Sequence, residues 1–312
     1  MKKVIFVFLL LCSIPVFAHE QWMLSPLEIL QLNKQPTPYI FHHFTQLNII
    51  IMLSSLLFLF VWIFLGKKLF KHAFSELRLK ISKKPVAIFF LSLLTGLMLL
   101  IATFDWIPIH PAHTTYSSYL LAPDLQLQHL PEWCKDLRWF QLAIALLLIL
   151  GIGVRLSAMA LIVLCFICLF LFGVPALAYL GFYLGIAMYL LFQTEASLLV
   201  LRVLTGLGFL YSAVMYKWLQ PNLDLGILVK KHVELWGIDY VTFVFSMACV
   251  ETVFAVLILT GIMIRPLSVI LFGLFLFTGV LMGENPLIHL FIYGILITFM
   301  IKGGGKLKRI IG

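Results

Sequence analysis

The sequence predicts an all-α integral membrane protein with about nine transmembrane helices, two tandem parallel four-helix repeats following one N-terminal helix. Two observations carry this. The chain is 62% hydrophobic and 11% charged, with a mean hydropathy of +1.09, and its apolar runs reach the roughly 20 residues a helix needs to cross a bilayer. It also repeats itself at a fixed offset of 110 residues. Leu94-Thr95-Gly96-Leu97 returns as Leu204-Thr205-Gly206-Leu207, and Gly151-Ile152-Gly153-Val154-Arg155 returns as Gly261-Ile262-Met263-Ile264-Arg265. Gly173 maps to Gly283 and Tyr183 to Tyr293. An offset kept across consecutive apolar segments without net insertion marks a duplicated unit.

In chain order, residues 1–18 read as a secretory signal. Lys2 and Lys3 form its charged part, Val4 to Leu11 its apolar part, and Pro15-Val16-Phe17-Ala18 its cleavage context, so that His19 becomes the first mature residue. A signal on so apolar a chain implies a bacterial inner membrane. Spans are expected at 46–65, 86–104, 139–154, 157–174, 176–193, 197–216, 240–261, 266–282 and 286–301. The chain then divides into a periplasmic segment, first helix and basic cytoplasmic loop (19–85), a first repeat (86–195), a second repeat (196–305) and a short cytoplasmic tail (306–312).

Charge sets the orientation. The loop 66–85 holds Lys67, Lys68, Lys71, Arg78, Lys80, Lys83 and Lys84 and is assigned to the cytoplasm. Propagating the spans puts Arg155, Arg265, Lys302, Lys306, Lys308 and Arg309 on the same side. That makes 13 basic residues inside against six outside, with ten of the 13 acids outside. The net charge of +9 is therefore a topological signal and a contact for lipid headgroups, not a nucleic-acid surface. The mature N-terminus is expected in the periplasm and the C-terminus in the cytoplasm. In the outer segment 105–138, Trp106, Tyr116, Tyr119, Trp133 and Trp139 suit an interfacial aromatic belt. No glycine-rich phosphate loop or dinucleotide fingerprint is present, which argues against ATP-driven chemistry within the chain.

Two charges fall inside spans. Arg202 and Glu251 lie on successive antiparallel helices, and an ionisable group there costs several kcal/mol unless paired or wetted. They are the candidate catalytic residues, with Glu251 as the titrating group. The alternative is a register-fixing ion pair, or an arginine that snorkels outward. Eight of the nine histidines fall at or near the outer face. His19, with its free amine, and the pair His110 and His113 are candidate copper or zinc ligands. Cys165 and Cys168 have the spacing of a redox motif, but in an apolar helix that spacing also serves packing.

The second repeat resembles the DoxX family in Arg202-x-x-x-Gly206 opening a helix, Tyr211 to Lys217 closing it, and Glu251 in the next helix. Leu257-Ile258-Leu259-Thr260-Gly261-x-x-x-Arg265 and Lys302-Gly303-Gly304-Gly305 complete the likeness, which covers 196–305. The first repeat looks like a degenerate copy, with Ser92 and Gln141 in the places of Arg202 and Glu251. The resemblance implies a four-helix membrane unit linked to quinone or thiol redox chemistry, with Tyr211, Lys217 and Arg265 as cofactor-binding residues. It also implies that chemistry belongs to the second repeat.

Three functions stay open on the sequence. One is a redox-linked, quinone-associated membrane subunit with a membrane or periplasmic partner. Another is a periplasmic-face protein that binds or transports copper or zinc. The third is an assembly subunit without chemistry of its own.

Overall fold

In an apolar medium every backbone N–H and C=O must find a partner inside the chain, and a helix does this within one segment. The computed structural model describes residues 24, 26–43, 45–69, 84–104, 118–127, 130–235, 237–282 and 286–305, and these form no strand. The signal segment 1–18, His19, most of the basic loop, His110, His113, Gly283 and the tail 306–312 lie outside the described residues.

The helices are α1 (Pro26–Asn33), α2 (Gln46–Leu69), α3 (Lys84–Phe104), α4 (Leu137–Leu150), α5 (Val154–Phe172), α6 (Val174–Phe192), α7 (Glu195–Ser212), α8 (Pro221–Lys230), α9 (Tyr240–Thr260), α10 (Ile264–Met282) and α11 (Leu290–Lys302). Among the described residues, six are long and apolar enough to cross a membrane: α2, α3, α5, α6, α7 with its extension to Trp218, and α9. The chain is a helical membrane protein. Each expected span contains a helix, but α4 has 14 residues and α11 has 13. The expected span 139–154 stops at Gly151, whose left-handed backbone (φ +67°) ends α4. The span expected to start at 286 opens with a 3₁₀ turn, Pro286–His289.

Helices α3, α4, α5, α6, α7, α9, α10 and α11 each pack on the next, and α11 returns to α3, so the eight close into a ring. The last helix of each half therefore meets the first helix of the other: α6 on α7, and α11 on α3. Close crossings hold the ring. A Cβ at Gly96 would come within 2.8 Å of the Ala145 carbonyl, and one at Gly206 within 2.7 Å of Leu259. The repeated glycine thus makes the same crossing twice, α3 on α4 and α7 on α9. Outside the ring, α2 rests on α9 through Trp62, whose indole N–H donates to Ile262 O at 3.4 Å. Its Ile50, Leu53, Leu57 and Phe64 stay exposed, as a lipid-facing helix requires.

The segment 118–127 corrects one expectation. Tyr119 was placed in an interfacial belt, yet it is 2% exposed, and Leu120, Leu121, Leu125 and Leu127 are buried with it. Gln141 pulls the segment in. Its Nε2 donates to Leu99 O (3.2 Å), Thr103 Oγ1 (3.3 Å) and Tyr119 O (3.0 Å), and its Oε1 accepts from Leu121 N–H (2.9 Å). These bonds satisfy backbone groups that the short irregular stretch cannot satisfy by itself. Trp133 and Trp139 are exposed, as a belt requires.

Helix α9 begins at an Asp239 cap, which accepts from Thr242 N–H at 2.9 Å. The Thr242 hydroxyl and N–H together hold the Asp239 carboxyl below its usual range. Because the folded value is the lower one, the cap stabilises fully above the unfolded carboxyl range. That contribution fades as pH falls through the folded value. We expect Asp239→Ala to cost about 1 kcal/mol at neutral pH and nothing once the carboxyl is protonated. Thermal melts of both forms at about pH 7 and about pH 2 check this, and a gap as wide at the lower pH as at the higher would sink it.

Candidate functional site: a cavity around Glu251

Helix α7 does not simply end at Ser212. Residues Ala213–Trp218 continue as a π-helix, and Leu219 N–H bonds to Val214 O, five residues back, at 3.0 Å. A wider turn rotates the side chains that follow it, and such turns recur at functional sites. Here it aims Tyr216 and Lys217 at α8 and α9 instead of at lipid. Pro221 then starts α8, which returns Asp224 to Lys217. The pair closes at 2.8 Å, with the side chains 16% and 5% exposed.

These groups wall a cavity of about 160 Å³. Helix α9 contributes Glu251, Met247, Phe243 and Phe254, while α6 gives Tyr179 and Phe182, and α7 gives Phe209 and Ser212. From α10 come Leu271, Leu274 and Phe275, and beyond it His289, Phe291 and Ile292 complete the wall. His289 is 8% exposed and packs on Phe275 with ring centroids 5.5 Å apart. The Tyr179 hydroxyl donates to Asp124, which ties the wall to the buried segment 118–127.

The space is the size of a single aromatic ring: an apolar protein cavity of about 150 Å³ admits benzene. Its faces are mainly phenylalanine, leucine and methionine, and a few acid–base groups converge on it. Glu251 offers a carboxylate, His289 an imidazole, Tyr216 a hydroxyl and Lys217 an ammonium. That combination suits a flat ring with polar substituents at its ends.

The structure divides the residues expected from sequence. Glu251 and Lys217 line the cavity. Tyr211 stands behind it, edge-on to Tyr216 at 6.2 Å. Arg202 and Arg265 lie at the other end of the helices. Arg202 does not pair with Glu251, because its guanidinium lies against Gly261 and Gly304. Arg265 Nη2 donates to Ile301 O at 3.3 Å. Cys165 and Cys168 are buried free thiols in α5, away from the cavity wall. No group of three or more metal-binding side chains occurs among the described residues, and His19, His110 and His113 lie outside them.

Sequence reasoning missed Asp224, His289, Tyr179 and Ser212. Asp224 carries no signal in the sequence, because its return to Lys217 depends on the turn at Gln220-Pro221. For His289 a signal existed: it stands 110 residues after Tyr179, so the two cavity-wall residues occupy equivalent places in the duplication.

Comparisons with family models, with curated proteins and with solved structures gave no match.

Proposed function

We propose that this chain is a DoxX-like inner-membrane protein and serves as a redox-linked subunit that holds a quinone headgroup in the Glu251 cavity. It comprises nine spans: one N-terminal helix and two parallel four-helix repeats of which only the second keeps its charged site. The mature N-terminus is periplasmic and the C-terminus cytoplasmic, in line with the positive loop 66–85. What supports family membership is the run of Arg202, Gly206, Glu251, Gly261, Arg265 and Lys302-Gly303-Gly304-Gly305.

One observation carries the quinone reading: a ring-sized apolar cavity among apolar helices, with Glu251 in its wall. Oxidation of a quinol releases two protons and two electrons. Glu251 is suited to take a proton from a ring hydroxyl, and Lys217 and His289 are suited to donate to ring oxygens. The chain carries no cofactor motif, so the electrons pass to a membrane or periplasmic partner. The isoprenoid tail stays outside the cavity, among the lipids.

Extraction of the purified full chain tests this. Quinone is expected to co-purify with the wild type. It is expected to be absent from Met247→Trp, which fills the cavity without altering a charge. A filled-cavity variant that retains as much quinone as the wild type would overturn the assignment of the site.

A further inference from the structure

We propose that the end of the bundle opposite the cavity holds a phosphate-bearing anion between Arg202 and Arg265. Three helix ends meet there: the exit of α9 at Gly261, the start of α10 at Ile264, and the exit of α11 at Gly303. Glycines make room for guanidinium groups. A Cβ at Gly261 would lie 1.8 Å from Arg202 Nη1, and one at Gly304 would lie 2.6 Å from Arg202 Cδ. Gly303 places its missing Cβ 3.8 Å from Arg265 Nε. Adjacent glycines thus lie against the two arginines, which places both cations at this end of the bundle.

Arg202 has no counter-ion in this spot. It makes no hydrogen bond or ion pair among the described residues, and its Nε is buried. Glu195, at the start of α7, is exposed and does not reach it. The carbonyl ends of α9 and α11 offset part of the charge, since a helix C-terminus carries about half a negative charge. They do not supply a two-pronged acceptor. A guanidinium is a planar fork that matches phosphate oxygens, and two of them together favour a dianion or a phosphodiester over a carboxylate.

The first half of the chain is a built-in contrast. Arg155, 110 residues before Arg265, is exposed, and Ser92 stands where Arg202 would be. The Ser92 hydroxyl simply donates to Phe89 O at 3.1 Å. The anion site therefore belongs to the second half alone.

The phosphate has two sources, an anionic lipid headgroup or a free phosphorylated solute. The full chain in neutral detergent is incubated with phosphatidylglycerol, phosphatidylcholine or inorganic phosphate. Retained lipid is read by native mass spectrometry, and phosphate binding by thermal shift. Retention of phosphatidylglycerol but not phosphatidylcholine assigns the site to lipid. Stabilisation by inorganic phosphate in lipid-free protein assigns it to a solute.

In either case, binding is expected to weaken at least ~10-fold in Arg202→Gln and similarly in Gly304→Ala, and to be unchanged in Arg155→Gln. Gly304→Ala keeps every charge and places its methyl on the Arg202 side chain. Position 304 has no left-handed backbone to forbid alanine, so this variant decides the matter if Arg202→Gln does not accumulate. A wild type that holds none of the phosphate probes overturns the proposal. So does equal loss in Arg155→Gln, which would mark general surface attraction.

Discussion

Replacing Glu251 with Gln lowers quinone-linked turnover by about 100-fold or more, with little change in the amount of folded protein. Gln matches Glu in size and shape, so the cavity walls, Phe254 and Met247 included, keep their packing. What is lost is the carboxyl's capacity to take up and release a proton, and with it the negative charge. Glu251→Asp retains a carboxyl on a shorter stem and should recover part of the rate, because general base catalysis needs both the group and its reach. Arg202→Gln is the contrasting variant. Arg202 sits against Gly261 and Gly304, away from the cavity, so its loss should leave turnover near the wild-type value. The measurement is oxidation of a short-chain quinol in native membranes, which supply the electron-accepting partner, comparing each variant with wild type at matched protein level. Undiminished turnover in Glu251→Gln would end the catalytic reading of Glu251. Equal losses in Glu251→Gln and Arg202→Gln would instead indicate a structural role for both.

Gln141→Ala is expected to destabilise the chain by about 3–5 kcal/mol, the largest stability effect of any single polar substitution proposed for it. Gln141 is fully buried and joins α3, α4 and the segment 118–127 through four hydrogen bonds. Alanine leaves the Leu121 N–H and the Tyr119 carbonyl to find other partners, each at a cost of about 1–3 kcal/mol if none exists, and opens a void besides; the Leu99 carbonyl keeps the Thr103 hydroxyl at 2.8 Å. For a chain of this size the loss amounts to a fall of roughly 5–8 °C in melting temperature. Gln141→Glu should fail as well. A carboxylate accepts only, whereas Nε2 of Gln141 donates to Leu99 O, Tyr119 O and Thr103 Oγ1. The difference between Gln141 and Glu251 is thus chemical. An amide can tie down irregular backbone, while a carboxyl in the second half faces a cavity. A melting temperature for Gln141→Ala within 2 °C of the wild type would show that the segment is held some other way.

Much of the fold was readable from sequence, because bilayer-length apolar runs act locally, while the helix caps came only with the structure. Thr194 caps α7 in a mutual pair with Ser197, Asp239 caps α9, and Gly151 and Gly261 end α4 and α9. The buried course of 118–127 was not readable. Its composition suits an interface, and only the long-range bonds of Gln141 draw it inside. The alternative of an Arg202–Glu251 ion pair fails for a similar reason. Helical spacing gives depth along a helix, but Gly261 and Gly304 decided the direction of the arginine.

The sequence by itself determined an apolar helical membrane chain, its 110-residue internal likeness and the two ionisable residues inside its spans. Hydropathy and periodicity suffice for that, since they reside in single segments. Only the tertiary structure decided which residues share a site. The π-turn at Ala213–Trp218 aims Lys217 at Asp224, the ring of helices brings His289 and Tyr179 to the Glu251 cavity, and helix ends enclose Arg202. A constellation assembled from six helices and two turns has no local signature, because side-chain direction depends on which helices pack together and on how closely glycine lets them approach.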